Sequence, residues 1–234
     1  MAEAVFFDLD GTLADTAPDL AGILIQLQHE HGLEPTPFAQ LRPQVSHGVR
    51  GMLGAGFGLT PDASAYAPLA ARFLELYAGA LCVETRLFDG MDALLDGLDA
   101  QRIPWGVVTN KAERLARPII SALGLAERCA CVIGGDTAAR PKPFPDPLLH
   151  ACAHTGVEPA RCLYIGDDIR DIVAGKAAGI LTGDETLAKR YVEHHGSDLD
   201  GMAALGEDLL RLADCTQGRT SWLGLLTRLQ QLSG

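Results

Sequence analysis

The run Ala4-Val5-Phe6-Phe7-Asp8-Leu9-Asp10-Gly11-Thr12-Leu13 changes abruptly from apolar to acidic. Its β-branched and aromatic part, Ala4–Leu9, reads as a buried strand, and Asp10-Gly11-Thr12 reads as the turn at its carboxyl end. Beyond the turn, Leu20, Ile23, Leu24 and Leu27 recur at helical spacing, so a helix is predicted from Pro18 to His31, with Gly32 stopping it. The chain therefore opens with one strand-turn-helix unit.

Working outward, strand signals vanish from about Glu34 to Phe88, where helical patterns are separated by Pro35, Pro37, Gly56, Gly58, Pro61 and Pro68. A separate helical lobe is predicted there. Alternation then resumes: helix over Asp92–Leu98, strand over Ile103–Thr109, helix over Leu115–Leu123, strand over Cys131–Gly135, helix over Pro145–Thr155, strand over Cys162–Gly166 and helix over Arg170–Ala178. Such alternation implies an α/β fold, a Rossmann-like parallel sheet covered on both faces. Ile180-Leu181-Thr182 reads as a short strand, Leu187–His195 as helical, and Ser221–Leu232 places Trp222, Leu225, Leu226, Leu229 and Leu232 on one helical face. The expected organisation is a core of residues 1–15 and 89–214, a helical lobe of 16–88 and a helical tail of 215–234. The tail's apolar face packs on the parent domain or on a second copy, so monomer and homodimer both stand.

The 234 residues, 47% hydrophobic and 21% charged, suffice for a full core and exclude a disordered chain. Nineteen Lys and Arg against thirty Asp and Glu leave a charge of −11, which repels polyanions and excludes nucleic acid as a partner. The six cysteines, Cys82, Cys129, Cys131, Cys152, Cys162 and Cys215, form no C-x-x-C pair and read as reduced core thiols, with Cys129 and Cys131 alternating on a buried strand. Neither a membrane span nor a signal peptide is read, and a cytoplasmic protein with no membrane partner is expected.

Ligands of open parallel sheets gather outside the carboxyl ends of the strands. The polar residues that follow the predicted strands are Asp8, Asp10 and Thr12; Thr109 and Asn110; Lys142; and Asp167 and Asp168. Carboxylates so gathered repel one another unless a cation sits among them, and an all-oxygen set favours Mg²⁺ over Zn²⁺. Lys142 and the hydroxyl and amide donors suit a multiply charged anion held against that metal, which points to phosphate. Beside metal and phosphate a carboxylate is the nucleophile at hand, and its chemistry is an aspartyl-phosphate. Taken singly, each of these residues reads as a helix cap, and Asp171, in a first helical turn, reads as mainly structural.

Phe7-Asp8-Leu9-Asp10-Gly11-Thr12-Leu13, Val108-Thr109-Asn110-Lys111, Lys142-Pro143 and Ile165-Gly166-Asp167-Asp168-Ile169-Arg170-Asp171 together resemble the haloacid dehalogenase-like phosphohydrolases, over roughly residues 4–179. The phosphoglycolate phosphatase branch is similar, and Phe88-Asp89-Gly90-Met91, Trp105-Gly106-Val107 and Val45-Ser46-His47-Gly48-Val49-Arg50 are also similar to N-acetylmuramic acid 6-phosphate phosphatases. The segment beyond Gly179 departs from both groups.

The resemblance implies that the helical lobe is the family's cap. It implies Asp8 as nucleophile, and Asp10 as acid toward the leaving alkoxide and then base toward water. Thr109 and Asn110 would hold phosphoryl oxygens with Thr12, and Lys142 would neutralise them. Asp8, the Asp10 carbonyl and Asp167 would hold Mg²⁺, with Asp168 bound through water or orienting Lys142. Gly48 and Arg50 would approach the substrate from the cap, Arg50 gripping a carboxylate. The partner implied is a small phosphorylated metabolite. A phosphomutase, which excludes water from the phosphoenzyme, and a non-catalytic phosphorylated-aspartate module stand as alternatives, although a passive module needs no leaving-group acid.

Overall fold

The computed structural model describes residues 2–182. Its centre is β1 (Ala4–Phe7), flanked by β4 (Trp105–Val108) and β6 (Cys162–Ile165), with β5 (Val132–Ile133) and β7 (Leu181–Thr182) outermost. All pair in parallel, in the order β5-β4-β1-β6-β7. β1 reads as continuously apolar because both of its faces are buried. Val5 and Phe7 face one core with Leu94, Leu98, Leu115 and Ile119, from α5 (Met91–Ala100) and α6 (Glu113–Ala122). Ala4 and Phe6 face a second core with Leu148, Ala151 and Ala174, from α7 (Asp146–Thr155) and α8 (Ile169–Ala178).

The helical lobe leaves and rejoins the sheet through a two-stranded antiparallel ribbon, β2 (Ala14–Asp15) with β3 (Arg86–Leu87). Strands this short carry no readable periodicity, which is why the sequence shows only helices here. Between them lie α1 (Ala17–Glu30), α2 (Phe38–Leu41), a 3-10 turn (Arg42–His47), α3 (Gly48–Phe57) and α4 (Tyr66–Gly79). Helix α1 packs its Leu24 against Gly56 of α3, where an added Cβ would stand 2.7 Å from a Leu24 methyl. Buried Asp19 of α1 accepts from the backbone N–H groups of Val83, Glu84 and Thr85 at 3.0, 2.7 and 3.1 Å, and from the Thr85 hydroxyl at 2.6 Å. A carboxylate so saturated ties the returning chain to the helix that left.

Cys129 and Cys131 do not alternate on a strand. Cys131 is buried just before β5, while half-buried Cys129 lies in the preceding turn and donates its thiol to the Cys131 carbonyl at 3.0 Å. The five described cysteines are free. No described helix is long and apolar enough to cross a membrane. The expectations for Leu187–His195, Cys215 and Ser221–Leu232 fall outside the described residues.

Candidate active site

Because β4, β1 and β6 are neighbours, the residues just past their carboxyl ends converge although they stand far apart in sequence. Asp8 follows β1 directly, its backbone N–H donating to Ile165 O at 2.8 Å. Its Oδ1 accepts from the Leu9 N–H at 2.8 Å and lies 3.0 Å from Lys142 Nζ. Among the described residues nothing donates to Oδ2, so one oxygen is held and the other is left for chemistry. Burial pushes the Asp8 carboxyl up to about 7; Lys142 opposes this, while Asp171, Asp167 and Asp10 add to it.

Lys142, 3% exposed, has four acceptors around its Nζ: Asp8 Oδ1, Asp171 Oδ1 at 2.6 Å, the Tyr164 hydroxyl at 2.8 Å and Val108 O at 3.1 Å. Burial works against the ammonium, but Asp8 and Asp171 more than offset it and raise its pKa. An ammonium has only three protons, so the Tyr164 hydroxyl, 2.9 Å from Val108 O and 2.9 Å from Asp171 Oδ1, completes the set by serving whichever acceptor the lysine leaves. The Lys142 backbone is clamped by the Asn110 carboxamide, which donates to its carbonyl and accepts from its N–H, both at 2.9 Å. The clamp uses one of the two Nδ2 hydrogens, so the second Nδ2 hydrogen and the backbone N–H of Asn110 are the donors left to offer a phosphoryl group. The Thr109 hydroxyl, also buried, accepts from the Lys111 N–H at 3.2 Å.

Asp167 accepts from the Thr12 hydroxyl at 3.0 Å and from the Ser46 hydroxyl at 2.6 Å. Burial raises its pKa, and these two hydrogen bonds oppose the rise. Gly11 is required beside it: its φ is +84°, and a Cβ there would stand 2.6 Å from Asp167 Oδ2. Asp10 Oδ1 accepts from the Thr16 hydroxyl at 2.6 Å and pairs with Lys111 Nζ at 2.8 Å.

The motif-end acids divide differently from expectation. Oxygens of Asp8, Asp167 and Asp171 lie within 4.8 Å of one another, and Asp168 is not in that group. Asp168 caps α8 in a reciprocal box with Asp171 and accepts from the Arg170 N–H, Nε and Nη2 at 2.8, 2.7 and 2.9 Å. That arginine pulls its carboxyl below the usual range against the opposing effect of burial. Asp171, expected to be mainly structural, does cap the helix through Oδ2, yet through Oδ1 it also holds Lys142. Of the three acids, Asp171 is engaged at both oxygens by Lys142, Tyr164 and the Asp168 N–H, each Asp167 oxygen accepts one hydroxyl, and Asp8 Oδ2 accepts no hydrogen bond among the described residues. Gly48 begins α3, and exposed Arg50 lies on the same helix. The lobe residue that reaches the acidic group is Ser46, whose carbonyl also accepts from Arg170 Nη2 at 2.7 Å.

Thr16, Lys111 and Tyr164 carry no functional signal in the sequence, and Ser46, part of the Ser46–Arg50 stretch expected to approach the substrate, meets Asp167 instead. Lys111 belongs to the Val108–Lys111 motif, but its burial against Asp10 has no local signature. Tyr164 reads simply as a strand residue until its hydroxyl is seen below Lys142.

The parallel sheet, the helical insertion and the acidic site with its buried lysine define a phosphohydrolase. The chain belongs to the haloacid dehalogenase-like hydrolase family, whose model matches residues 5–183. It is 44% identical over 196 residues to the N-acetylmuramic acid 6-phosphate phosphatase of Pseudomonas aeruginosa, covering 84% of this chain and 85% of that protein. It is 48% identical over 177 residues to a phosphoglycolate phosphatase of Xanthomonas campestris pv. campestris, covering 76% and 80%. A crystal structure of a predicted phosphoglycolate phosphatase from Haemophilus somnus 129pt superposes with a TM-score of 0.67 at 28% identity, over 77% of this chain and 84% of that one.

Proposed function

We propose that the protein hydrolyses the phosphate monoester of a small carboxylate-bearing metabolite in the manner of phosphoglycolate phosphatases, with N-acetylmuramic acid 6-phosphate as the other substrate to test. The observation that carries this reading is the buried Asp8 carboxylate, with one oxygen fixed by Leu9 and Lys142 and the other without a hydrogen-bond donor among the described residues. In this reading Asp8 Oδ2 attacks phosphorus and forms the aspartyl-phosphate as the ester oxygen leaves. Asp10 gives that oxygen a proton, then takes one from the water that splits the phosphoenzyme. Lys142 holds Asp8 and balances the phosphoryl charge, and the Thr109 hydroxyl and Asn110 N–H receive phosphoryl oxygens.

The donor set is all oxygen, as Mg²⁺ requires. Asp8, Asp167 and the Asp10 carbonyl would hold the ion, which when bound supplies charge neutralisation between nucleophile and phosphate. The residue split follows: a core of 1–15 and 89–214 carries the chemistry, a cap of 16–88 reads the substrate, and a cytoplasmic setting supplies both metal and metabolite. Gly48 and Arg50 are the proposed substrate contacts of the cap.

The test is phosphate release from a panel of about thirty phosphorylated metabolites with Mg²⁺. Release from phosphoglycolate or N-acetylmuramic acid 6-phosphate above aliphatic esters without a carboxylate supports the reading. Sugar-phosphate interconversion without phosphate release would instead establish a phosphomutase.

A further inference from the structure

Lys111 is a buried ammonium to which the reaction above gives no task. It lies just past the Thr109-Asn110 pair, its side chain 7% exposed, with Nζ 2.8 Å from Asp10 Oδ1 and 4.8 Å from the ring centroid of Tyr77. Tyr77 belongs to α4 of the helical insertion, and Thr16, the other donor to Asp10 Oδ1, stands at the N-terminus of α1. Asp10 is thus gripped at one oxygen from two directions, by the β4 loop and by the start of the insertion. Among the described residues its Oδ2 accepts no hydrogen bond.

A carboxylate held by one hydrogen bond still swings about its terminal torsion, a broad rotor with no deep wells. A second donor on the same oxygen, at 2.8 Å against 2.6 Å for the first, restricts that swing and turns the unbound oxygen to a defined place. Lys111 is in turn restrained by the aromatic face of Tyr77, a favourable site for a desolvated cation. With Asp10 and Tyr77 as its partners, the ammonium is committed to this one carboxylate.

We propose that Lys111 is the positioning residue for Asp10: by holding Oδ1 together with Thr16, it presents Oδ2 to the leaving-group oxygen of the substrate. This rests on the reading of Asp10 as the leaving-group acid. A purely structural lysine would affect all substrates alike, whereas loss of a positioned acid affects the ester whose leaving group needs the proton.

The experiment compares K111M, K111Q and K111R with the wild-type enzyme in Mg²⁺, on p-nitrophenyl phosphate and on the best alkyl monoester of the metabolite panel. The quantity read is kcat/KM, which ends at release of the alcohol and so reports protonation without hydrolysis of the phosphoenzyme. Misplacing an acid by about 1 Å is worth about 10²-fold. K111M and K111Q are therefore expected to lose about 10²-fold on the alkyl ester, with KM little changed, and less than about threefold on the aryl ester. K111R, which keeps the cation, is expected to lie nearer the wild type. Retained aryl turnover shows that a variant is folded. Equal losses on both esters in the neutral variants, including complete loss of both, or no loss on either, would overturn the proposal. D10N run in parallel separates the two levels: a split in D10N without one in K111M defeats only the role of Lys111, whereas the absence of a split in D10N defeats the reading of Asp10 itself.

Discussion

Asp8 couples chemistry to stability at the scale of a single residue. Burial raises its carboxyl from the ordinary carboxylate range to about 7, so the metal-free folded state binds a proton that the unfolded state has already released. Stability therefore falls as pH rises through that window, and Asp167, whose pKa is also raised, works in the same direction. In chelator, the melting temperature of the wild type is expected to drop between about pH 5 and pH 7.5, and D8N to drop less while showing no turnover at any pH. A D8N protein that hydrolyses esters would remove the nucleophile, and a melting temperature that rises over this range would refute the linkage. Tyr164 is a second test at this scale. Y164F strips a buried hydroxyl from Lys142, Val108 and Asp171, which should cost about 1–3 kcal/mol in urea unfolding and lower kcat more than it raises KM. Unchanged stability and kcat would show that the lysine needs no fourth partner.

At the scale of elements, the crossing between sheet and insertion rests on a ribbon of two-residue strands, too short to hold by ladder bonds alone. The four hydrogen bonds that Asp19 accepts from Val83, Glu84 and Thr85 fasten α1 to the chain returning along β3. Charge-assisted hydrogen bonds of this kind contribute about 1.5–3 kcal/mol each, and their loss leaves buried N–H groups unsatisfied. D19A is expected to lose at least about 3 kcal/mol in urea unfolding although Asp19 touches no reacting group. A loss under about 1 kcal/mol would place the fastening elsewhere. Helix α8 shows the same dependence of site on element, since its capping box is also what sets Asp171 Oδ1 beside Lys142 and occupies Asp168 with the arginine.

For the whole molecule, the site is a meeting of sheet and insertion: Ser46 brings its hydroxyl to Asp167 and its carbonyl to Arg170. The proposed Mg²⁺ site between Asp8 and Asp167 predicts stabilisation of the folded protein by mass action: the melting temperature should climb with Mg²⁺ concentration and turnover should vanish in EDTA. Full activity after exhaustive chelation would remove the metal from the mechanism. Substrate reading by the insertion is tested at Arg50, where lysine keeps the charge but loses the bidentate fork. R50K is expected to lower kcat/KM on a carboxylate-bearing substrate by about 1.5–3 kcal/mol equivalent and to leave p-nitrophenyl phosphate turnover unchanged. Equal effects on both would move carboxylate recognition to another residue of the insertion.

The sequence by itself determined the strand-helix order and the acidic strand ends, since hydrophobic period and turn chemistry are local properties and each of Asp8, Asp10 and Asp167 follows from its position after a buried run, whereas Lys142 stands beyond an exposed loop that leaves β5. The helical insertion was legible for the same reason, while its two-residue ribbon was too short to carry a period. Tertiary structure alone decided which side chains meet. Asp168 and Asp171 stand three residues apart, and only the capping geometry of α8 turns one toward Arg170 and the other toward Lys142. Lys111, Tyr164 and Ser46 acquire their partners from the adjacency of β4, β1 and β6 and from the docking of the insertion on that edge. A hydrogen bond forms or fails over a few tenths of an ångström. That choice is made where separate elements come together, beyond the reach of any periodicity within one of them.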